Sequence, residues 1–327
     1  MSANRQPRER IVFMGTPDFA VESLRILVES GYNVVGVVTA PDRAVGKHHS
    51  RLTPSPVAAY ASSCGLPLLQ PDSLKDASFI EALRSWSPAL QIVVAFRLLP
   101  RAIWELPPLG TFNLHASLLP QYRGAAPINR AIMNGETRTG VTTFFLTDGV
   151  DLGQIILQRP HPISDTDDAG TLHDSLMKLG AELVRETVDA ILSGGARTIS
   201  QASLYTSEAE LIPAPKIFTD TCRIDWRLPV KQICNHIRGL SPCPAAWAEL
   251  LQPDGSRHTL KIFQAEAVYV THADNPGRIR IDGSGSFTIA ASDGYIRPLL
   301  LQLSGKKRMS AEDFLRGQKQ LAGSVVE

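Results

Sequence analysis

Hydrophobic and polar positions over the first 150 residues alternate between two periods. Residues 10–14 (RIVFM) form a short apolar run that ends at Gly15-Thr16-Pro17-Asp18. Asp18 is a residue type that caps helices. Beyond it, Val21, Leu24, Leu27 and Val28 fall at helical spacing, and Gly31 marks a stop. Residues 33–39 (NVVGVVT) predict a second, buried strand. Helices are expected after the PSP at 54–56 and over 77–86, a third strand at 91–96 (QIVVAF), and a fourth beginning at 111–115. This alternation predicts an α/β fold: a Rossmann-like, mostly parallel sheet with helices on both faces.

Residues 140–159 read as two strands joined by a Gly- and Asp-rich turn. A long helix is predicted over 167–192, with Leu172, Leu176, Leu179 and Leu183 on one stripe and Ser193-Gly194-Gly195 at its end. Around 204–216 the periodicity breaks, with Pro213 and Pro215 close together, and a linker is placed there. Beyond a short helix near 230–238, five short strand-like runs follow, at 247–251, 260–270, 277–281, 287–291 and 296–303. Turns containing Gly, Asp or Asn separate them. Such a run of strands predicts a smaller C-terminal β-barrel of the OB-like kind, a shape often used to hold oligonucleotides. The expected domains are therefore residues 1–206 and 207–327, in line with two domains for 327 residues.

Composition narrows the partners. Lys plus Arg is 33 and Asp plus Glu is 32, a net charge of +1, so broad non-specific binding to DNA is not expected. Basic and acidic residues number 18 and 19 through residue 207, and 15 and 13 beyond it. An RNA partner would have to be met by a local patch. Cys64, Cys222, Cys234 and Cys243 form no CxxC pair with clustered histidines, so no metal site is expected. No apolar run approaches the roughly 18 residues of a membrane span, and the start MSANRQPRER lacks an apolar signal core. A cytoplasmic location away from membranes is expected.

Candidate chemistry centres on Asn113-Leu114-His115 at a predicted strand end and on Asp151 in the turn GVDLG. Alternation along a strand puts Asn113 and His115 on one side. In an open α/β sheet, ligands bind beyond the carboxyl ends of the strands. An amide can donate to a developing oxyanion, an imidazole can move a proton, and a carboxylate can hold the imidazole charged. Spacing alone favours a plainer reading, a capping Asn, a core His and a turn Asp, because 36 positions separate His115 from Asp151. The following segment, 117–128 (SLLPQYRGAAPI), shifts that balance. Its two prolines and a glycine make a stiff loop suited to holding a flat heterocycle with backbone groups.

With that segment in view, the pattern NxHxSLLPxxRGAxPI followed by GVDxG resembles the folate-dependent formyltransferases. The opening FMGTPDFAVESL, residues 39–57 (TAPDRAVGKHHSRLTPSPV), Ala214-Pro215-Lys216-Ile217, Arg223-Ile224-Asp225-Trp226 and Gly305-Lys306-Lys307-Arg308-Met309 resemble the branch that acts on methionyl-tRNA. The single glycine of Gly15-Thr16-Pro17 makes a nicotinamide site a poor reading. The resemblance implies transfer of formyl from 10-formyltetrahydrofolate, as co-substrate, to the amino group of initiator methionyl-tRNA. The product would be N-formylmethionyl-tRNA for translation initiation. It implies catalytic roles for Asn113, His115 and Asp151, and a folate pocket lined by Ser117, Leu118, Leu119 and Pro120. Arg43, Lys47 and Arg51 in the insert after the second strand, with Lys306, Lys307 and Arg308, would contact tRNA, and the C-terminal barrel would be the tRNA-binding domain. The protein is expected to act as a monomer without metal.

Two departures from the family pattern stand out. Ala44-Val45-Gly46-Lys47-His48-His49 replaces the common PAGRGK, so a Lys takes the place of a loop Arg and loses its planar fork. Phe96-Arg97 stands where Tyr-Gly is common, leaving Arg97 either near the folate tail or as a solvated loop charge. Two other readings remain open at this point: a formyltransferase for a nucleotide sugar or glycinamide ribonucleotide, and a non-catalytic RNA-binding or folate-sensing protein.

Overall fold

The computed structural model describes residues 9–45, 51–281, 286–317 and 321–327. The chain divides into two compact units. The first holds Met1–Gly124, Thr139–His161 and His173–Pro213; the second holds Ala125–Arg138, Pro162–Leu172 and Ala214–Glu327.

In chain order the first part of the protein runs β1 (Ile11–Gly15), α1 (Val21–Glu29), β2 (Val34–Val38), β3 (Arg43–Val45), β4 (Arg51–Thr53), α2 (Pro56–Ser63), β5 (Leu68–Leu69) and α3 (Ala77–Ser85). There follow β6 (Leu90–Val94), α4 (Arg101–Trp104), β7 (Thr111–His115), α5 (Pro127–Met133), β8 (Arg138–Phe145), β9 (Ile155–Pro162) and α6 (Ala169–Leu192). Seven strands form one sheet in the order β5-β2-β1-β6-β7-β8-β9. The pairs from β5 through β7 are parallel, and β8 joins β7 antiparallel. The expected mostly parallel sheet is thus present. Strands β1 and β6 lie at its centre and are buried at all five positions, as apolar runs covered on both faces require, with Gln91 of β6 the polar exception, accepting from Thr111 Oγ1 at 3.0 Å. The chain goes from β1 out to β2 on one side and returns to β6 on the other. The carboxyl ends of β1, β6 and β7 therefore open on one edge, at the switch point of the sheet.

Helix starts follow the local chemistry, with one correction. Ser55 caps α2 through its Oγ, which accepts from the Ala58 N–H at 3.0 Å, and Pro56 occupies the first helical position. Asp18 does not cap α1 as expected. A 3-10 turn, Asp18–Ala20, intervenes; the Asp18 carboxylate accepts from the adjacent Phe19 N–H, and α1 begins after Ala20 with no side-chain cap. At α6, Asp168 and Thr171 exchange side-chain-to-backbone hydrogen bonds at 2.9 and 3.0 Å, which closes the start reciprocally. On its apolar stripe Leu176 and Leu183 are buried, each worth about 1.5–3 kcal/mol of burial, while Leu179 is only half-buried. Gly180 takes the closest approach instead: a Cβ there would meet Leu114 of β7 at 2.7 Å.

The second unit contains α7 (Val230–Leu240) and the strands β10 (Ala246–Leu251), β11 (Arg257–Val268), β12 (Ile279–Ile281), β13 (Phe287–Ala290), β14 (Tyr295–Leu303), β15 (Met309–Ser310) and β16 (Val325–Val326), with α8 (Ala311–Gly317) before the last. The strands run β12-β13-β14-β11-β10-β16 with antiparallel pairing, and β15 adds to β14. The two edges meet through a bridge between Arg278 and Val325, so the sheet is nearly closed, as the barrel reading anticipated. Gly277 permits the closure. Its φ is +84°, and a Cβ would lie 2.1 Å from the Val326 carbonyl oxygen. The barrel interior is filled by Trp226, Ile233, Ile237, Leu240, Leu250, Ile262, Phe287 and Phe314. Helix α5 belongs to this unit although it precedes residue 207: the Asn129 amide donates to the Gly239 carbonyl at 2.7 Å, and Gly239 lets α7 close on Met133. Among the described residues no helix is long and apolar enough to cross a membrane.

Candidate active site

Asn113 and His115 stand at the carboxyl end of β7 on the same side of the strand, Asn113 half-buried and His115 buried. Asp151 comes to them from the loop between β8 and β9. Its Oδ2 lies 3.8 Å from His115 Nδ1, an ion-pair separation rather than a hydrogen bond. The structure thus joins a His and an Asp that stand 36 positions apart in the sequence.

The loop after β7 holds both groups. The His115 Nε2–H donates to the Tyr122 carbonyl at 2.8 Å, a pairing in which the carbonyl can only accept, so Nδ1 is the nitrogen turned toward Asp151. Two residues on, the Gly124 N–H donates to Asp151 Oδ2 at 2.9 Å. Tyr122 at φ 60° and Asp151 at φ 55° both adopt left-handed backbone, so the segment turns sharply enough to offer its carbonyl to one partner and its N–H to the other. Gln201, which the sequence reading did not single out, ties this together. Its amide donates to the Asp151 and Gly153 carbonyls at 2.8 Å each, and its carbonyl accepts from Arg123 Nε and Nη2 at 3.0 and 2.7 Å. Gln201 is buried, and nothing in the polar segment around it marks it out. The Arg123-Gly124 pair in the loop motif was the available signal, since a half-buried guanidinium still needs acceptors. Gly153 is required by contact: a Cβ would fall 1.5 Å from the Phe145 carbonyl oxygen.

Ser117, Leu118, Leu119 and Pro120 form the wall beside His115. Ser117, Leu119 and Pro120 are buried and Leu118 is half-buried. Their backbone is largely engaged within the protein. The Ser117 carbonyl accepts from Thr142 Oγ1 at 2.6 Å, the Leu119 N–H donates to the same oxygen at 3.2 Å, and the Leu119 carbonyl accepts from Gln158 at 2.7 Å. Exposed apolar side chains lie instead on the neighbouring loops, with Leu98 after β6 and Val150 and Leu152 beside Asp151. Arg101 and Asp148, 3.5 Å apart, tie those two loops together. Arg97 is committed elsewhere: its guanidinium donates to the Pro71 and Asp72 carbonyls at 2.8 and 3.0 Å and fastens that segment to the end of β6.

Of the expected RNA-contacting cations, Arg43 is exposed at the start of the β3–β4 hairpin and lines a cavity of about 470 Å³ with Thr16, Pro17, Asp18 and Ser55. Lys47 lies outside the described residues, and Arg51 pairs through its backbone in β4. Lys306, Lys307 and Arg308 follow the left-handed Gly305 in the turn between β14 and β15. All three are exposed, and the Arg308 guanidinium also sits 3.5 Å over the Phe263 ring. Among the described residues no group of three His, Cys, Asp or Glu side chains is placed to hold a metal ion.

Comparison with known proteins gives these residues a setting. A family model described as formyl transferase matches residues 9–188, and one described as the formyl transferase C-terminal domain matches 216–319. A methionyl-tRNA formyltransferase of Parabacteroides distasonis is 60% identical over 317 residues, covering 97% of this chain and 98% of that one. The chain belongs to the methionyl-tRNA formyltransferase family. Another member, from Phocaeicola vulgatus, is 60% identical over 318 residues with the same coverage, and one from Porphyromonas gingivalis is 47% identical over 310 residues, covering 94% and 95%. Solved structures extend the likeness in fold. WlaRD, a sugar 3N-formyl transferase crystallised with dTDP and 5-N-formyl-THF, superposes with a TM-score of 0.63 at 19% identity, covering 91% of this chain and 99% of that one. An N-formyltransferase of Helicobacter canadensis gives 0.62 at 20%, covering 89% and 98%.

Proposed function

We propose that the protein transfers the formyl group of 10-formyltetrahydrofolate to the α-amino group of initiator methionyl-tRNA, giving N-formylmethionyl-tRNA. The observation that carries this reading is the approach of Asp151 to His115 beside Asn113, in a chain that matches methionyl-tRNA formyltransferases nearly end to end. The acceptor amine titrates near 7.7–8.0 in ordinary peptides, so an appreciable neutral fraction is available at about pH 7.5. It attacks the formyl carbon, a C–N bond forms, and the carbonyl oxygen becomes an oxyanion. Asn113 donates its amide hydrogens to that oxygen and His115 adds positive charge beside it. Asp151 holds the protonated ring and receives the proton the amine must lose. Collapse then breaks the bond from the formyl carbon to the folate nitrogen, which leaves with a proton. Buried surroundings keep water from competing for the formyl group.

In this reading Ser117, Leu118, Leu119 and Pro120 act as a rigid backing for the folate, because Thr142 and Gln158 already occupy their polar backbone. Leu98, Val150 and Leu152 supply the apolar edge that a pterin ring covers. Arg43, Lys47 and Arg51 guide the acceptor end of the tRNA, and the second unit, with Lys306, Lys307 and Arg308, holds its backbone. The protein works as a cytoplasmic monomer.

The test mixes the purified protein with the folate donor and either charged tRNA or an amino-sugar nucleotide, and follows the formylated product. Formylation of methionyl-tRNA alone is expected. Replacing Asn113 or His115 by Ala should lower kcat by about 10²-fold or more while substrate affinities change little. Near-normal turnover in the His115→Ala protein would overturn the mechanism.

A further inference from the structure

Away from the Asn113–His115–Asp151 site, the second unit carries a cavity of about 420 Å³ on the outside of the barrel, within the ~300–1,000 Å³ range of small-ligand sites. Its floor is the outward face of β10 and β11. Along β10, Ala246, Ala248 and Leu250 point into the barrel, so Trp247 points out, and directly across the strand pair stands Lys261. One wall is residues 217–222, which brings Ile217, Phe218, Thr219 and Cys222 to the cavity; Pro244 and Ala245 close another side. The indole is fixed, since its N–H donates to the Thr219 carbonyl at 2.9 Å. Phe218, by contrast, is 62% exposed.

The cations around these rings set the chemistry of the occupant. Arg223 bridges to β10 beside Trp247, and its guanidinium sits 5.6 Å over the indole. Lys216 stands 5.6 Å over the Phe218 ring, and Lys261 lines the cavity itself, with Nζ 3.3 Å from the Pro244 carbonyl. No carboxylate is among the lining residues, although Asp220 is on the adjoining turn. Flat rings set between cations, without a facing acid, suit a planar, uncharged ring system attached to a phosphate. A hydroxyl at Thr259 is at hand for its polar edge, whereas the buried Cys222 thiol already donates to the Phe218 carbonyl at 3.3 Å.

We propose that this cavity seats one unpaired nucleobase of the RNA, against Trp247 and Phe218, with a neighbouring phosphate on Lys261 and Arg223. The inference rests on the tRNA reading above and adds to it a base-sized pocket in the second unit. Unpaired bases lodged on aromatic platforms, with cations along the backbone, are the general means of holding single-stranded RNA.

The full-length protein is titrated with uncharged tRNA, with a single-stranded RNA oligonucleotide and with a blunt-ended RNA duplex, following tryptophan emission and binding. Quenching by the first two and not by the duplex is expected, and it should disappear in a Trp247→Leu variant. A base stacked on an aromatic ring leads us to expect tRNA affinity about 5- to 150-fold weaker in Trp247→Leu and in Phe218→Ala. Phe218 is exposed enough for its variant to fold if the Trp247 change disturbs the barrel. Lys261→Gln should lower the salt slope of tRNA binding by about one unit or less. Equal quenching by the duplex, or wild-type tRNA affinity in a folded Phe218→Ala protein, overturns the pocket alone. Failure of the unaltered protein to bind tRNA overturns the tRNA reading beneath it.

Discussion

Tyr122 and Asp151 sit in left-handed backbone that costs a residue with a side chain about 1–3 kcal/mol. Their partners hold them there. The Tyr122 carbonyl takes His115, the Gly124 N–H takes Asp151, and Gln201 grips the chain on either side of Leu152. If Asp151 acts as proposed, Gln201 acts on the chemistry through it, as a positioning residue. Gln201→Glu keeps an acceptor for Arg123 but loses both N–H donors. It should lower kcat of formyl transfer about 10- to 100-fold, the cost of a catalytic group displaced by about 1 Å, with KM for the folate donor nearly unchanged. Steady-state kinetics checks this. A variant that only melts earlier, with full kcat, would reduce Gln201 to a structural tie.

Among the elements, α7 shows how burial couples to pH. Ile233, Ile237 and Leu240 line its buried stripe, and the helix also draws in Cys234, whose thiol burial pushes up to about 11. His236 is carried with them. Burial depresses its pKa, the nearby Arg130 adds to the effect, and a hydrogen bond to the Cys222 backbone opposes it. Above about pH 6.5 the ring is neutral in both folded and unfolded chains, so it contributes no pH dependence. As pH falls below that value the unfolded chain takes up a proton that the folded helix resists, and stability is lost with acid. The denaturant midpoint of the wild-type protein should therefore drop between pH 7 and 5.5. A His236→Gln variant should show a shallower drop; an equally steep one assigns the acid sensitivity elsewhere.

For the whole molecule, a net charge of +1 means that RNA affinity has to come from local groups. Lys306, Lys307 and Arg308 are all exposed in the β14–β15 turn, and Arg308 also rests on Phe263. Neutralising either lysine should weaken tRNA binding and lower the slope of log affinity against log salt by about one unit or less. Arg308→Ala should weaken binding in the same way and in addition cost stability through the lost ring contact. Filter binding across a salt series, with a melting curve for each variant, separates the two behaviours. Unchanged slopes for both lysines would remove the turn from the RNA surface.

The linear pattern was sufficient for the longer strands and most helices, because burial on both faces writes largely apolar runs at 11–15 and 90–94, and burial on one face writes the leucine stripe of α6. It also fixed the side shared by Asn113 and His115, since both lie on β7 and alternate positions face one way. Short or irregular pieces escaped it. The β3–β4 hairpin, the two-residue strands β15 and β16 and the helix α8 are each too brief to show a period. The start of α1 was misread because a 3-10 turn takes up Asp18. The 3.8 Å approach of His115 and Asp151, the service of one loop to both, and the part played by Gln201 depend on which carbonyls the folded backbone leaves facing inward. The hollow beside Trp247 depends on a bridge between Arg223 and β10. The sequence by itself determined periodicity and chemical type, which are properties of neighbours along the chain. Only the tertiary structure decided these pairings between distant positions, because hydrogen-bond geometry and close contact exist only once the chain has folded back on itself.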